Sequence, residues 1–227
     1  HSPRGRCAPV SGVGSDWWRA SYDGQDMSGR FIVFEGGEAS GKSTQAQLLA
    51  LRLGATLTHQ PGGTPLGMAV REMVLDPANS SLDPRAEALL IAADKAQHVA
   101  QIVRPTLARG DDVVCDRYVA SSLVYQGYGR GIDLDELRQL LDFATGGLEP
   151  DLTLLLEAPR EAIEQRLGSN RDRFESEPPE FHERVRAGYR ELAAADPERW
   201  AIIDGSGTVD EVAQRVLAVV RERFGEP

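Results

Sequence analysis

The sequence of 227 residues lacks the long apolar runs that mark membrane-spanning helices. Its longer apolar stretches, such as Ile32–Phe34 and Leu152–Leu156, are far shorter than the roughly 20 residues needed to cross a bilayer. No apolar stretch near residue 1 matches the core of a secretory signal either. We therefore expect no membrane partner.

Cysteine is also scarce, since only Cys7 and Cys115 are present. A disulfide framework or a zinc site would need more sulfur ligands, so the composition favours a reducing, cytoplasmic location. Cys115 falls within an apolar strand pattern and is predicted to be a small buried side chain.

Positive charge is in the minority, because 25 basic side chains stand against 35 acidic ones and give a net charge of −10. This argues against a sequence-independent binder of nucleic-acid polymers, which needs a net basic face. It does not exclude a small anionic ligand, since a pocket needs only a few local cations. Lysine is especially rare, and Lys42 and Lys95 are the only two in the chain.

Residues 1–26 differ from the rest, because they contain Gly, Ser, Pro and Arg without sustained periodicity. Met27 stands just before a strong strand pattern, so we interpret it as the natural start. Residues 1–26 would then be a non-native or disordered extension. The alternative is a genuine tail in which the pair Trp17–Trp18 docks on the domain.

From residue 30 onward, short apolar runs alternate with longer segments of helical periodicity. The predicted strands are Arg30–Glu35, Ala55–Thr58, Asp112–Cys115, Leu152–Leu156 and Trp200–Ile203. The predicted helices are Ser43–Leu53, Leu66–Leu75, Pro84–Ala108 (kinked or split at Pro105), Asp133–Ala144, Glu161–Leu167, Glu180–Ala195 and Val209–Phe224. This alternation is typical of an α/β fold in which helices cover both faces of a parallel sheet.

A phosphate-binding loop follows the first predicted strand and opens the first predicted helix. It matches G-x-x-x-x-G-K-[ST] at every fixed position. Glycines let successive backbone N–H groups point at a phosphate, and the helix N-terminus adds a positive dipole. Lys42 supplies a charge to the β- and γ-phosphates, and the Ser43 hydroxyl can ligate Mg²⁺. The predicted ATP-binding residues are Gly36, Gly37, Glu38, Ala39, Ser40, Gly41, Lys42, Ser43 and Thr44.

Residues 30–220 resemble the thymidylate kinase (dTMP kinase) family, because several motifs occur in the family's order. These motifs are Phe31–Glu38, Pro61–Gly67, Asp116–Tyr118, Ser121–Gly127, Leu148–Thr153 and Arg171–Glu175. The resemblance implies a P-loop NTPase fold with a five-stranded parallel sheet and a mobile lid at about residues 168–179. It also implies a nucleoside monophosphate kinase domain over residues 27–227, a homodimer, and transfer of the ATP γ-phosphate to dTMP with Mg²⁺.

The resemblance and the chemistry of the side chains together assign catalytic roles. Asp116 and Arg117 end a predicted strand, where α/β sheets bind ligands. Arg117 offers a planar fork for phosphate, and Asp116 can hold Mg²⁺ or orient the phosphates. The alternative is an ion pair that ties the strand end to a helix. The bacterial type of the family supplies a transition-state arginine from the lid, and Arg171 or Arg173 would fill that role.

The acceptor site is carried over from the family position by position. Arg71 matches an arginine that grips the acceptor phosphate, and Glu38 an acid near the acceptor sugar. The residues that match the nucleoside pocket are Ile91, Lys95, Ser122, Tyr125 and Gln126. No general base is required, because the acceptor phosphate is already anionic.

The chain departs from the family pattern at three places. His59 and Gln60 replace a common Arg–Glu pair, while Ile91 and Lys95 replace a Phe that stacks on thymine and an Arg that reads its carbonyl. Another side chain can supply the lost contacts, or the acceptor preference can be altered. The second functional hypothesis is therefore a nucleotide-binding relative with another acceptor or without transferase activity.

Overall fold

The computed structural model describes residues 28–166 and 171–225, so the proposed extension at 1–26 and lid residues 168–170 lie outside the described residues. Five strands in this part form one parallel sheet in the order β2-β3-β1-β4-β5. The strands are β1 Phe31–Glu35, β2 Thr56–His59, β3 Val113–Asp116, β4 Leu152–Glu157 and β5 Trp200–Asp204. This confirms the predicted parallel sheet. Each predicted strand begins and ends within one residue of the observed strand.

Helices connect the strands and pack on both faces of the sheet. They are α1 Lys42–Leu53, α2 Pro65–Leu75, α3 Pro84–His98, α4 Arg104–Ala108, α5 Val119–Ser122, α6 Leu134–Thr145, α7 Arg160–Arg166, α8 Pro179–Ala195 and α9 Val209–Phe224. Asp133 caps α6 by accepting from the N–H groups of Asp135 and Glu136, as its sequence position predicts. None of the helices in the described part of the chain is both long and apolar enough to cross a bilayer.

The core is divided by the sheet into two layers, as alternating side chains of buried strands require. On one face, Ile32 and Phe34 of β1 pack with Leu49 of α1 and Val216 of α9. On the other face, Phe31 and Val33 of β1 pack with Cys115, which is fully buried as predicted, and with side chains that follow α3. Burial of both faces explains why β1 and β4 read as continuous apolar runs.

Two helical segments differ from the sequence prediction. The discontinuity expected at Pro105 lies just before it, as a π-helical turn at Val99–Val103 between α3 and α4. Proline lacks the N–H that would continue the ladder, so the preceding turn rearranges. A second π-helical turn, Leu123–Gly129, extends α5 and was not predicted. Its Gly residues have low helix propensity, and burial in the tertiary structure overrides that preference.

Candidate active site

The loop between β1 and α1 forms a phosphate cradle. Gly36 and Gly41 have φ values of 143° and 100°, and a Cβ on Gly36 would lie 2.5 Å from the Leu156 carbonyl oxygen. Ala39 is also left-handed, at φ 54°. Gly41 provides no side-chain cap for α1, so the first N–H groups of that helix are available to an anion.

Lys42 spans this cradle from the first turn of α1. Its buried Nζ donates to the Gly37 carbonyl oxygen at 2.6 Å and lies 3.4 Å from Ser40 Oγ. Burial lowers the pKa of Lys42 to about 8, with Arg117 adding to the shift and Glu38 opposing it. The ammonium is therefore still mainly charged at neutral pH, in the position where phosphate oxygens would enter.

Asp116, at the end of β3, faces Ser43 at the start of α1. Ser43 Oγ donates to Asp116 Oδ2 at 2.5 Å. Asp116 Oδ1 is buried and has no hydrogen-bond partner among the described residues. Mg²⁺ prefers oxygen ligands and is commonly held by one or two side chains together with substrate phosphates. The two side chains therefore fit Mg²⁺, although no group of three metal-ligating residues was found in the described part of the chain.

Arg117 follows β3 in a left-handed backbone conformation, at φ 72°. Its Nη2 pairs with Glu38 Oε1 at 2.7 Å, and its Nη1 donates to the Gly36 carbonyl oxygen at 3.1 Å. Tyr125 also donates its hydroxyl to Glu38 Oε1 at 2.7 Å. Burial alone would raise the pKa of Glu38, but Arg117 and Lys42 outweigh it and lower that pKa to about 2.

The fully buried carboxylate of Glu35 holds two hydroxyl groups that contact Arg117. Glu35 accepts from Ser121 Oγ at 2.6 Å and from the Tyr189 hydroxyl at 3.0 Å. Those two hydroxyls lie 3.1 and 3.2 Å from Arg117 Nη1. Glu35 also accepts the backbone N–H of Tyr118, which fixes the chain directly after Arg117. Sequence reasoning assigned no role to Glu35, because its position at the end of an apolar strand does not reveal what it faces.

One cavity brings together every predicted acceptor-site residue. Its lining includes Glu38, Arg71, Ile91, Lys95, Arg117, Ser122, Tyr125 and Gln126. Ser122 Oγ is buried and unpartnered within the described residues, as expected of a group that awaits a ligand. Phe174 also lines the cavity, with its ring 5.4 Å from that of Tyr125. Sequence reasoning missed this side chain, although it lies inside the motif that carries the lid arginines.

A second cavity lies over the phosphate cradle and meets the first. It is lined by residues 38–44 of the loop together with Asp116 and Arg166. Glu38, Arg71 and Arg117 line both cavities. The arrangement therefore places a basic junction between a polyphosphate site and a smaller pocket.

The two arginines of the predicted lid have different surroundings. Arg171 is exposed and lines a groove that it shares with Gly37 and Glu38 of the cradle. Arg173 is buried instead, where its Nη2 pairs closely with Glu87 Oε2 and its Nε donates to the Val74 carbonyl oxygen at 2.8 Å. The structure therefore does not bring Arg173 to the phosphate cradle.

Arg166, the last residue of α7, is a further cation at the cradle. Its Nη1 donates to the carbonyl oxygens of Ala39 and Ser40 at 3.2 and 3.3 Å. Sequence reasoning missed it, because a basic residue in the last turn of a helix is ordinarily a solvated side chain.

Comparison with known proteins agrees with this geometry. The thymidylate kinase family model matches residues 34–216. The chain belongs to the thymidylate kinase family. Phosphorylation of dTMP with ATP is the activity of this family of nucleoside monophosphate kinases, and the predicted P-loop fold is confirmed.

Individual members of the thymidylate kinase family are similar over most of their length. A thymidylate kinase from Synechococcus sp. (strain JA-2-3B'a(2-13)) is 50% identical over 199 residues, which cover 86% of this chain and 95% of the relative. One from Citrifermentans bemidjiense is 44% identical and covers 86% and 93%. The crystal structure of a thymidylate kinase from Ehrlichia chaffeensis has a TM-score of 0.71 at 31% identity and covers 85% of this chain and 98% of that one.

The depressed pKa of Glu38 predicts an acid-sensitive contribution to stability. Because the pKa falls from 4.5 to about 2 on folding, the ionised carboxylate stabilises the fold above pH 4.5, and this contribution is lost as the pH falls through that interval. Urea unfolding at several pH values checks this. Glu38→Gln should lose part of the pH dependence below pH 4.5, whereas the exposed control Glu180→Gln should keep it. Parallel pH profiles for wild type and Glu38→Gln would contradict the assignment.

Proposed function

We propose that this chain transfers the γ-phosphoryl group of ATP to dTMP and releases dTDP and ADP. The observation that carries the proposal is the junction of the two cavities at Glu38, Arg71 and Arg117. A donor polyphosphate over the cradle and an acceptor monophosphate in the pocket would meet there, which is the positioning that phosphoryl transfer requires.

The donor side is assigned to the loop and the start of α1. The N–H groups of residues 36–44 would hold the phosphates of ATP, and Lys42 Nζ would pair with the β- and γ-oxygens. Ser43 and Asp116 would hold Mg²⁺, which supplies charge neutralisation for the phosphates when bound. The support for this metal site is the set of oxygen donors, including the unpartnered Asp116 Oδ1.

The acceptor side is assigned to the smaller cavity. Arg117, oriented by Glu38, would hold the acceptor phosphate and stabilise charge on the transferring group, and Arg71 would grip the same phosphate. Ser122, Gln126 and Lys95 would provide polar contacts for the nucleoside.

The acceptor cavity has aromatic side chains in its wall, although Ile91 replaces the Phe that is common in the family. Phe174 and Tyr125 line the same cavity as Ile91, so they can provide the flat surface that Ile91 lacks. This supports the reading that another side chain has taken over the lost contact. It counts against an altered acceptor preference.

Arg171 is proposed as the lid arginine that stabilises the transition state, since it shares a groove with Gly37 and Glu38. Arg166 is proposed to hold the cradle from the lid side. For Arg173 we propose a structural role in place of the predicted catalytic one, and its buried pair with Glu87 supports this.

We also propose a homodimer in a reducing, cytoplasmic setting. Neighbouring elements expose large apolar side chains, and the members on α1, β2 and α2 are Leu48, Leu51, Leu57, Leu66, Met68 and Met73. The unpaired, buried thiol of Cys115 fits a reducing compartment. Sedimentation velocity should give twice the chain mass of 24.7 kDa, and a single-chain mass at micromolar concentration would contradict the dimer.

A coupled ADP-release assay over a panel of nucleoside monophosphates tests the function. We expect the highest kcat/KM with dTMP. Arg117→Ala should lower kcat on the order of 10³-fold with little loss of ATP affinity, because the side chain acts on the acceptor and the transferring group. Turnover of another monophosphate without dTMP activity would overturn the substrate assignment. Tight ATP binding with no turnover of any acceptor would support a protein that has lost transferase activity.

The two lid arginines should respond differently to the same substitution. Arg171→Met should lower kcat on the order of 10³-fold and leave the melting temperature unchanged, since the side chain is exposed. Arg173→Met should lower the free energy of unfolding by about 3 kcal/mol, because it leaves the buried Glu87 with less compensation. Kinetics and thermal unfolding of both variants check this, and the reverse pattern would refute the assignment.

A further inference from the structure

A chain of four buried polar side chains lies beside the acceptor cavity. Thr58 Oγ1 lies 2.6 Å from His98 Nε2, and His98 Nδ1 lies 2.7 Å from Gln60 Nε2. Gln60 Oε1 accepts from Lys95 Nζ at 2.9 Å. All four side chains are buried, and Gln60 and Lys95 also line the cavity.

The chemistry of these groups allows one arrangement of protons. An ammonium can only donate, so it must face the amide oxygen of Gln60. The amide nitrogen of Gln60 therefore faces His98 and donates to Nδ1, which must be unprotonated. A neutral His98 then carries its proton on Nε2 and donates to Thr58. Burial lowers the pKa of His98 to about 4, which agrees with the neutral ring.

Lys95 is held in place by neutral hydrogen-bond partners. Its Nζ also donates to the Tyr118 carbonyl oxygen at 2.8 Å, so two of its three N–H groups are used within the protein. Its partner in this network is a neutral amide, and burial lowers the pKa of Lys95 while the carboxylates of Asp94 and Glu35 oppose that shift. One N–H group therefore remains for a ligand in the cavity.

We propose, on the basis of the dTMP kinase function above, that Gln60 and His98 are positioning residues that set the preference for the acceptor base. His98 fixes the orientation of the Gln60 amide, and Gln60 fixes the Lys95 ammonium so that its remaining N–H donates to a carbonyl of the base. A base with an amino group at that edge, such as cytosine, would meet donor with donor. The arrangement therefore favours thymine over cytosine.

The orientation of Gln60 matters because its amide can turn over. If His98 did not accept from the amide nitrogen, that nitrogen could face Lys95 and repel it. The ammonium would then lose its position at the cavity, although the pocket would keep its shape. The expected defect is thus weaker and less selective acceptor binding, with intact ATP binding.

Gln60→Met tests the proposal, since it keeps the length of the side chain and removes both polar atoms. We expect KM for dTMP to rise about tenfold and the ratio of kcat/KM for dTMP over dCMP to fall by a similar factor, with kcat and KM for ATP nearly unchanged. The matched control is Gln97→Met, because Gln97 lies exposed on α3, the helix that carries Lys95, and its side chain donates to Gln101. This control should behave as wild type.

Variants of His98 test whether the effect passes through Gln60, because His98 does not line either cavity. His98→Leu should reproduce the higher KM for dTMP and the lower dTMP to dCMP ratio of Gln60→Met. His98→Asn should keep the wild-type selectivity, since the amide oxygen of Asn can accept from Gln60 as Nδ1 does. Circular dichroism verifies folding. If His98→Leu fails to fold, His98→Asn and Gln60→Met still test the proposal, because only Gln60→Met should lose selectivity for dTMP.

A double-mutant cycle separates positioning from direct contact. In a Lys95→Met background, Gln60→Met should change neither KM for dTMP nor the dTMP to dCMP ratio any further. An effect that persists there, or an unchanged ratio in Gln60→Met alone, would overturn the proposal. Failure of the wild-type chain to phosphorylate dTMP would instead overturn the proposed function, and this inference with it.

Discussion

The active-site geometry depends on the ion pair between Arg117 and Glu38. It joins the end of β3 to the phosphate cradle after β1, and it lies at the border of the two cavities. The left-handed backbone of Arg117 costs about 1–3 kcal/mol. Hydrogen bonds to the Gly36 carbonyl and to two hydroxyls held by Glu35 offset this cost. Removal of one partner would leave a largely buried charge without its counter-ion, so we expect the two residues to respond to mutation together.

The order of the strands is what makes this pair possible. β3 lies directly beside β1, with Phe34 opposite Asp116, although about 80 residues separate them in the chain. Parallel strands end at the same edge, so the residues after both strands meet there. The connection through α1, β2, α2 and α3 also brings Arg71, Ile91 and Lys95 to the same edge. A single topological arrangement thus forms the donor and acceptor sides together.

Sequence reasoning reached the parts of this protein that are set locally. The cradle, the buried strands and the Asp133 cap depend on spacing and on neighbours in the chain, and all agree with the structure. The different surroundings of Arg171 and Arg173 could not be predicted. The buried position of Arg173 depends on its pair with Glu87, which is distant in sequence. Arg166 was missed for the same reason, since only tertiary structure brings a helix end to the cradle.

The departures from the family pattern are consistent with one another when their contacts are considered together. Lysine in place of arginine removes a planar fork, yet an amine group that donates to a neutral amide and a carbonyl keeps a further N–H donor for a ligand. A carboxylate at position 60 would instead draw Lys95 into an ion pair and place an acceptor against His98 Nδ1. Gln60 therefore suits Lys95 and a neutral His98 better than the more common Glu would, so the replacements at 60 and 95 form a matched pair.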